Sequence, residues 1–453
     1  MPNLFSSRRL TQLVSGVGAL TALGALTACN ATGGDQGGKG AGSQLVYWSM
    51  WREGEPQQKV LQASIDDFTK ETGIKVKVQW AGRQVLQQVV PRLNTGNPPD
   101  LTDQDGSSLH AVLGDSALGL QDVYDAQITG ESQKVSDIIP ASLVETARTK
   151  EGQPMVVPYE VIGSTLWYNG KKHPDLAGKE QLTWSQFTGT LDALKQKGRT
   201  PLALDGDISG YDAYWMTWSI VRHGGVGLLG KACADKTGAA WDDPAFLAAA
   251  KDIEELTGKG YFPKDFNATK FPAQQTGWAT GTNKTDFLLM GTWAPSETGE
   301  ALKKSGKDVD SVISYRSMKY PEVDGGKGNS ATQAGIIGFA VPAKARNAEA
   351  AKKFIRFFLN KDQLTGISSE AGNLTPRTDI PAPATLSDYA KEYAAADGQF
   401  FQPNDNCGGV AAKWVTDVWE PTVVDFFNGK ADGAEDFVKT VKEKSVEYHK
   451  NNG

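Results

Sequence analysis

Apolar positions recur along this chain with two alternating periods. Leu45, Val46, Tyr47 and Trp48 form a short apolar run that reads as a buried strand. Leu61, Ile65, Phe68 and Thr72 then fall at helical spacing within Glu55 to Thr72, and Gly73 supplies a stop. Ile74, Val76, Val78 and Trp80 alternate with Lys75, Lys77 and Gln79, the period-two pattern of a strand with one polar face. Gln84 to Thr95 reads as helix, closed by Gly96 and Pro98-Pro99, and Asp100-Leu101-Thr102 as a short strand. Strand and helix in alternation predict a mostly parallel α/β sheet. Ligands of such sheets sit beyond the carboxyl ends of the strands, which places Trp48 to Glu53 and Asp103 to Gly106 on one rim.

The middle of the chain is more helical and richer in tryptophan. Helices are predicted over Thr183 to Lys197, Tyr211 to Val221, Pro244 to Leu256, Ala348 to Leu359 and Ala434 to Tyr448. Phe287 to Met290 and Ile336 to Val341 read as short apolar strands. No internal repeat is visible.

The N-terminus has a different grammar. Arg8 and Arg9 precede an uncharged, apolar or small-residue run from Leu13 to Leu26, the order of an export signal. The run is short of the roughly 20 apolar residues of a membrane span. Leu26-Thr27-Ala28-Cys29 resembles a bacterial lipobox, which implies cleavage after Ala28 and a lipid on Cys29. Residues 29–43 form a flexible, Gly-rich tether, roughly 20 Å long as a random coil. The arginine pair leaves both general and twin-arginine export open.

The chain has 453 residues and a net charge of −6, and loss of Arg8 and Arg9 with the leader makes it more negative. An acidic body without a Lys/Arg cluster argues against nucleic acid as a partner. The three cysteines are Cys29, Cys233 and Cys407. With Cys29 lipidated, Cys233 and Cys407 are a candidate disulfide pair in an oxidising compartment, or two separate thiols.

Several segments in order resemble the family 1 extracellular solute-binding proteins of ABC importers, the class that includes the maltose-binding protein. They are the Leu45 to Val76 strand–helix–strand, Pro98-Pro99-Asp100, Val157-Pro158-Tyr159-Glu160 with Leu166-Trp167-Tyr168-Asn169, and Leu182-Thr183-Trp184-Ser185-Gln186-Phe187. Met290-Gly291-Thr292-Trp293, Gly338-Phe339-Ala340-Val341-Pro342 followed by Ala350 to Ile355, and Gly372-Asn373-Leu374-Thr375-Pro376-Arg377 continue the series. The resemblance implies a type II periplasmic-binding-protein-like α/β fold of two lobes with a ligand cleft between them. Residues 44–158 and 320–375 are expected in the first lobe, and 159–319 and 376–453 in the second, with crossings near Pro158, Tyr320 and Pro376. It further implies a monomer that captures a sugar, of two or more rings, for ABC importer membrane subunits, without catalysis, cofactor or metal. A surface glycoside hydrolase and an adhesion protein are the rival readings.

Sugar rings present apolar C–H faces and hydroxyl edges, so their sites need flat aromatic platforms among polar groups. The aromatic candidates are Trp48, Trp51, Tyr159, Trp215, Trp218, Trp293 and Trp414. Trp293 and Trp414 stand where the resemblance places ring-stacking tryptophans. Trp80, Trp167 and Trp184 read as core. The polar candidates are Glu53 and Asp105 at the predicted rim, Glu160 and Glu297 after family-like segments, Arg377 at the end of Gly-x-x-x-Pro-Arg, and Arg83. Gly225 to Gly230 matches Gly-x-Gly-x-x-Gly, but a dinucleotide site needs a strand before it and a helix after it. Here a predicted helix precedes it, and Lys231 to Gly238 is a poor helix. No spacing singles out a glycosidase carboxylate pair. His110, His173, His223 and His449 lack metal-ligand spacing. The intact mass of the exported chain checks the N-terminal reading. It should lack residues 1–28 and carry acyl chains on Cys29, and an unmodified cysteine at that terminus would contradict it.

Overall fold

The computed structural model describes residues 44–452 apart from Thr146 and Asp397. The leader, Cys29 and the tether lie outside the described residues. The strands are β1 (Gln44–Ser49), β2 (Lys75–Trp80), β3 (Leu101–Asp105), β4 (Val157–Ile162), β5 (Ser164–Asn169), β6 (Leu202–Ala203), β7 (Phe287–Gly291), β8 (Tyr315–Met318), β9 (Thr332–Gln333), β10 (Gly335–Ala340) and β11 (Phe400–Phe401). Two larger sheets run in the orders β2-β1-β3-β10-β4 and β6-β7-β5-β8. In the first, β1 pairs in parallel with β2 and β3, as the strand–helix alternation predicts, while β10 runs antiparallel to β3 and β4.

Local chemistry sets the helix ends. Helix Pro56–Thr72 starts on proline and ends on Gly73 at φ 71°, a left-handed stop that favours glycine. Thr183 and Gln186 form a reciprocal capping box at the start of Trp184–Gln196. In Ala348–Phe358 the buried Phe354, Ile355 and Phe358 form one stripe. Phe354 and Phe358 meet Phe339 of β10 at centroid distances of 5.9 and 5.6 Å. Tyr159 of β4 lies 4.6 Å from the same Phe339.

β3 extends three residues beyond the predicted Asp100-Leu101-Thr102, so Asp103 lies within the sheet rather than on its rim. The lobe crossings also shift. The chain leaves the first sheet at Gly163, between β4 and β5, and Tyr159 therefore belongs to the first lobe. A Cβ on Gly163 would fall 1.9 Å from the Tyr389 hydroxyl and 2.2 Å from the Gln333 carbonyl oxygen, so this crossing demands glycine. Tyr320 packs on Trp215 and Trp218 inside the second lobe, and the return crossing comes later, at β9 and Ala334. The third follows Pro381, because Arg377 is still held by first-lobe partners while helix Ser387–Ala395 packs on β8. The crossings lie side by side. The Tyr389 hydroxyl donates to the Gln333 carbonyl at 2.6 Å, and the Val161 N–H donates to the Leu374 carbonyl at 2.8 Å.

The second lobe buries much of the tryptophan. Trp414 lies near Trp241 and Trp419 at 6.0 Å from each. Cys233 and Cys407 are joined as a disulfide between helices Leu228–Ala234 and Cys407–Trp414. Helix Leu228–Ala234 begins inside the Gly-rich segment and stops at Ala234, four residues into the Lys231 to Gly238 stretch that reads as a poor helix. What precedes that segment is helix Ser209–Gly224 and not a strand, which removes the dinucleotide motif.

Arg377 is a lock within the first lobe. Its side chain is 1% exposed, forks onto both Asp379 carboxylate oxygens at 2.9 Å, and donates to Glu131 at 2.8 Å and to the Leu359 carbonyl at 3.0 Å. Asp379 is pulled down to about 2 by the guanidinium. Arg377→Ala removes the guanidinium from Asp379, which keeps Lys361 at 3.5 Å, and from Glu131, which keeps the Lys361 N–H at 2.8 Å, and should destabilise the fold by about 1.5–3 kcal/mol in denaturant titration. A change under about 1 kcal/mol would contradict the lock.

Candidate functional site

The cleft between the two sheets holds a cavity of about 420 Å³. The first lobe lines it with Trp51, Glu55, Arg83, Glu160, Ile337 and Asn373, and the second with Tyr211, Phe271, Trp293, Ser296 and Glu297.

Its first-lobe wall is hung on one buried carboxylate. Asp103 Oδ2 accepts from Tyr47 Oη at 2.8 Å, Tyr159 Oη at 2.6 Å and Ser49 Oγ at 3.2 Å, while Oδ1 accepts the Met50 N–H at 2.8 Å. Trp51 Nε1 donates to Tyr159 Oη at 2.7 Å, so the indole is fixed through tyrosine to the same carboxylate. Burial raises the Asp103 carboxyl above its ordinary range, and the hydrogen bonds oppose that rise. Arg83 lies over the Trp51 ring at 4.5 Å and donates to the Met50 carbonyl and to Glu55 Oε2, each at 2.8 Å. The aromatic wall, the cation and the Glu55 carboxylate thus form one unit.

Glu160 is 1% exposed at the cavity lining. Asn373 Nδ2 donates to its Oε1 at 2.8 Å, while Glu160 Oε2 and Asn373 Oδ1 are both buried without a partner. Burial pushes the Glu160 carboxyl up to about 8, and the nearby Gln57 amide and Arg83 moderate that shift without closing a hydrogen bond on Oε2.

The second-lobe wall is aromatic. A Cβ on Gly291 would fall 2.2 Å from the Trp293 ring, so glycine at the end of β7 lets the half-buried indole lie across it. Tyr211 and Phe271 pack with centroids 5.6 Å apart. Glu297, one helical turn beyond Trp293, accepts from Gln275 Nε2 at 2.6 Å.

Of the sequence candidates, Trp51, Arg83, Glu160, Trp293 and Glu297 meet at this cavity, and Tyr159 stands behind Trp51 as its support. The others lie elsewhere. Trp48 stays within β1 on the face opposite Tyr47, with Arg92 at 6.0 Å. Glu53 is exposed in a turn, and Glu55 takes the place expected of it. Asp105 caps helix Gly106–Leu113 by accepting the Ser108 N–H at 2.9 Å. Trp215 and Trp218 are core residues, the latter donating to Ser164 Oγ at 2.8 Å. Arg377 is occupied by its ion pairs. Trp414 is fully buried and donates to Ser445 Oγ at 3.1 Å. Tyr211, Phe271, Glu55 and Asn373 were not singled out. Asn373 lies inside a family-like segment, and Tyr211 opens a predicted helix, but neither carries a chemical signal of its own.

The family model for bacterial extracellular solute-binding proteins matches residues 53–364. The chain belongs to this family. Its members are exported binding proteins. This solute-binding protein is 23% identical over 304 residues to the diacetylchitobiose binding protein NgcE of Streptomyces coelicolor (strain ATCC BAA-471 / A3(2) / M145), a match covering 65% of this chain and 62% of that relative's length. It is 24% identical over 311 residues to a probable sugar-binding periplasmic protein of Rhizobium meliloti (strain 1021), covering 66% of this chain and 67% of that one. Among solved structures, a chitin oligosaccharide binding protein superposes with a TM-score of 0.68 at 20% identity, over 91% of this chain and all of the other. These structures share the two-lobed, type II periplasmic-binding-protein-like fold.

Several buried carboxyls of this binding protein hold protons at neutral pH. Asp212 is pushed up to about 8 and Glu392 and Asp405 to about 7, in each case mainly by burial, alongside Glu160 at about 8. In an unfolded chain such groups titrate near pH 4. Between about pH 4.5 and 8 the folded state therefore binds more protons than the unfolded one, and stability falls as pH rises. Asp235 and Asp379, pulled down to about 2 by hydrogen bonds, act only below that window. The melting temperature should decline from pH 5 to pH 8, and a rise across that range would contradict these assignments.

Proposed function

We propose that the cleft captures a carbohydrate of two or more rings and that the protein delivers it to an ABC importer without chemical turnover. One observation carries this reading. Ring faces from the second lobe stand across a single cavity from carboxyl, amide and guanidinium groups of the first. That pairing suits a ligand with apolar faces and hydroxyl edges. The relatives support it, since one is described as a diacetylchitobiose binding protein and another as sugar-binding. Closure of the lobes about the crossings at Gly163, Ala334 and Pro381 brings the two walls onto the ligand. The lipid on Cys29 and the short tether hold a monomeric receptor at the outer face of the membrane, within reach of the importer.

Trp293 supplies the main stacking surface in this reading. A thermal-shift screen of mono-, di- and oligosaccharides should raise the melting temperature with ligand excess. Trp293→Ala should weaken the best hit about 10- to 100-fold, as expected for loss of about 1.5–3 kcal/mol of aromatic burial. Hits confined to peptides or metal ions, with no sugar, would defeat the proposal.

A further inference from the structure

Two buried acceptors at the cavity lining are left open. Glu160 and Asn373 are 1% and 3% exposed, and each has one oxygen with no hydrogen-bond partner. Their other polar atoms are committed to each other, Nδ2 to Oε1 at 2.8 Å. That internal bond fixes the assignment. With Nδ2 donating, the atoms left over are Oε2 of one residue and Oδ1 of the other. Burying an oxygen without a donor costs about 1–3 kcal/mol, so unpaired buried acceptors call for an explanation. Most other buried polar groups beside the cleft are satisfied. Asp103 receives four donors and Tyr159 is bonded on both sides, while Gln275 Oε1, behind Glu297, is the further open acceptor on the second-lobe side.

We infer that Glu160 and Asn373 determine specificity by accepting hydrogen bonds from two adjacent donors on one ring of the bound sugar. This rests on the reading that the cleft takes a carbohydrate, and it names the ligand chemistry that reading leaves open. Adjacent donors are vicinal hydroxyls, or a hydroxyl beside an acetamido N–H. A ring that is deoxygenated or alkylated at those positions leaves the acceptors buried and unpaired, and is rejected.

The pair also links binding to a proton. In the empty cleft the Glu160 carboxyl, pushed up to about 8 by burial, mostly carries a proton on Oε2 at pH 7, and Oε2 becomes an acceptor when that proton leaves. The sugar donor directed at Oε2 favours the ionised form, so the sugar lowers the carboxyl's pKa and the proton leaves to solvent. The charged groups around Glu160 are Arg83, which also favours ionisation, and Asp103, which opposes it; Glu55 and Glu297 line the same cavity. Binding therefore releases protons at pH 7, and affinity rises with pH up to about 8.

The test is calorimetric titration of the full chain with cellobiose, lactose and N,N′-diacetylchitobiose, in buffers of different ionisation enthalpy. The bound disaccharide should release a substantial fraction of one proton at pH 7 and bind up to roughly tenfold tighter at pH 8 than at pH 6. Diacetylchitobiose against cellobiose separates the acetamido donor from a second hydroxyl. Glu160→Gln should flatten the pH profile and weaken binding at pH 8 by roughly tenfold or more. The buffer dependence of wild-type heats stands as evidence even if that variant does not fold. A disaccharide bound without proton release, or with the same pH profile in Glu160→Gln, overturns this inference and leaves the sugar reading intact. Failure of all three disaccharides to bind overturns both.

Discussion

The cleft depends on the Asp103 carboxylate. A fully buried carboxyl is costly unless its lone pairs are filled, and here Tyr47, Ser49, Tyr159 and the Met50 amide fill them. Those four donors come from β1, from the turn after it and from β4, so one side chain in the middle of the sheet fixes strands on both sides of it. Trp51 is attached to this cluster through Tyr159, and Arg83 through Trp51 and Met50. Trp51, Arg83 and Glu55 on the first-lobe wall therefore belong to one bonded body, ordered before any ligand arrives. Such preorganisation reduces what the ligand must spend on arranging its own site.

The second lobe works differently. Its wall is aromatic and rests on packing, with Trp293 laid over Gly291 and Tyr211 against Phe271. Between the walls runs a narrow set of crossings, knitted by the Tyr389 and Leu374 bonds. Glu392 stands beside them, accepting from Thr165 on β5 at 2.8 Å and from Thr332 on β9 at 3.2 Å. The polar wall supplies direction and the aromatic wall supplies area, and the crossings keep them in register.

Periodicity made most of the elements legible. The first five followed from spacing alone, and Thr183, Gly73 and Pro244 marked helix ends by capping chemistry. β3 reads short because Asp103, Gln104 and Asp105 are polar, and a pattern of polar residues resembles a loop. Only the tertiary donors on Asp103 make that strand buriable. The tryptophans were harder for a related reason. Trp215, Trp218 and Trp414 carry the same ring as Trp293, and what separates core from cleft is packing by residues far along the chain, such as Phe262 and Tyr320 on Trp215, Phe401 on Trp218 and Trp241 on Trp414. Glu55 displaced Glu53 because turn geometry, invisible to composition, decides which acid reaches Arg83. Asn373 gained its meaning only from the Glu160 oxygen it touches.

The interleaving of the two sheets has a consequence for how this exported chain is made. β10 lies between β3 and β4, yet β5 to β8 of the second lobe are synthesised between β4 and β10. The second lobe in turn waits for helix Cys407–Trp414 and for Cys407 itself to reach Cys233. A chain emerging from its N-terminus can therefore complete neither half until late in its synthesis. Until then β3 and β4 present unpaired edges, the kind of surface that pairs wrongly with other strands. Such long-range closure is slow. The architecture that separates the two walls of the cleft thus also postpones folding until the last third of the chain is present.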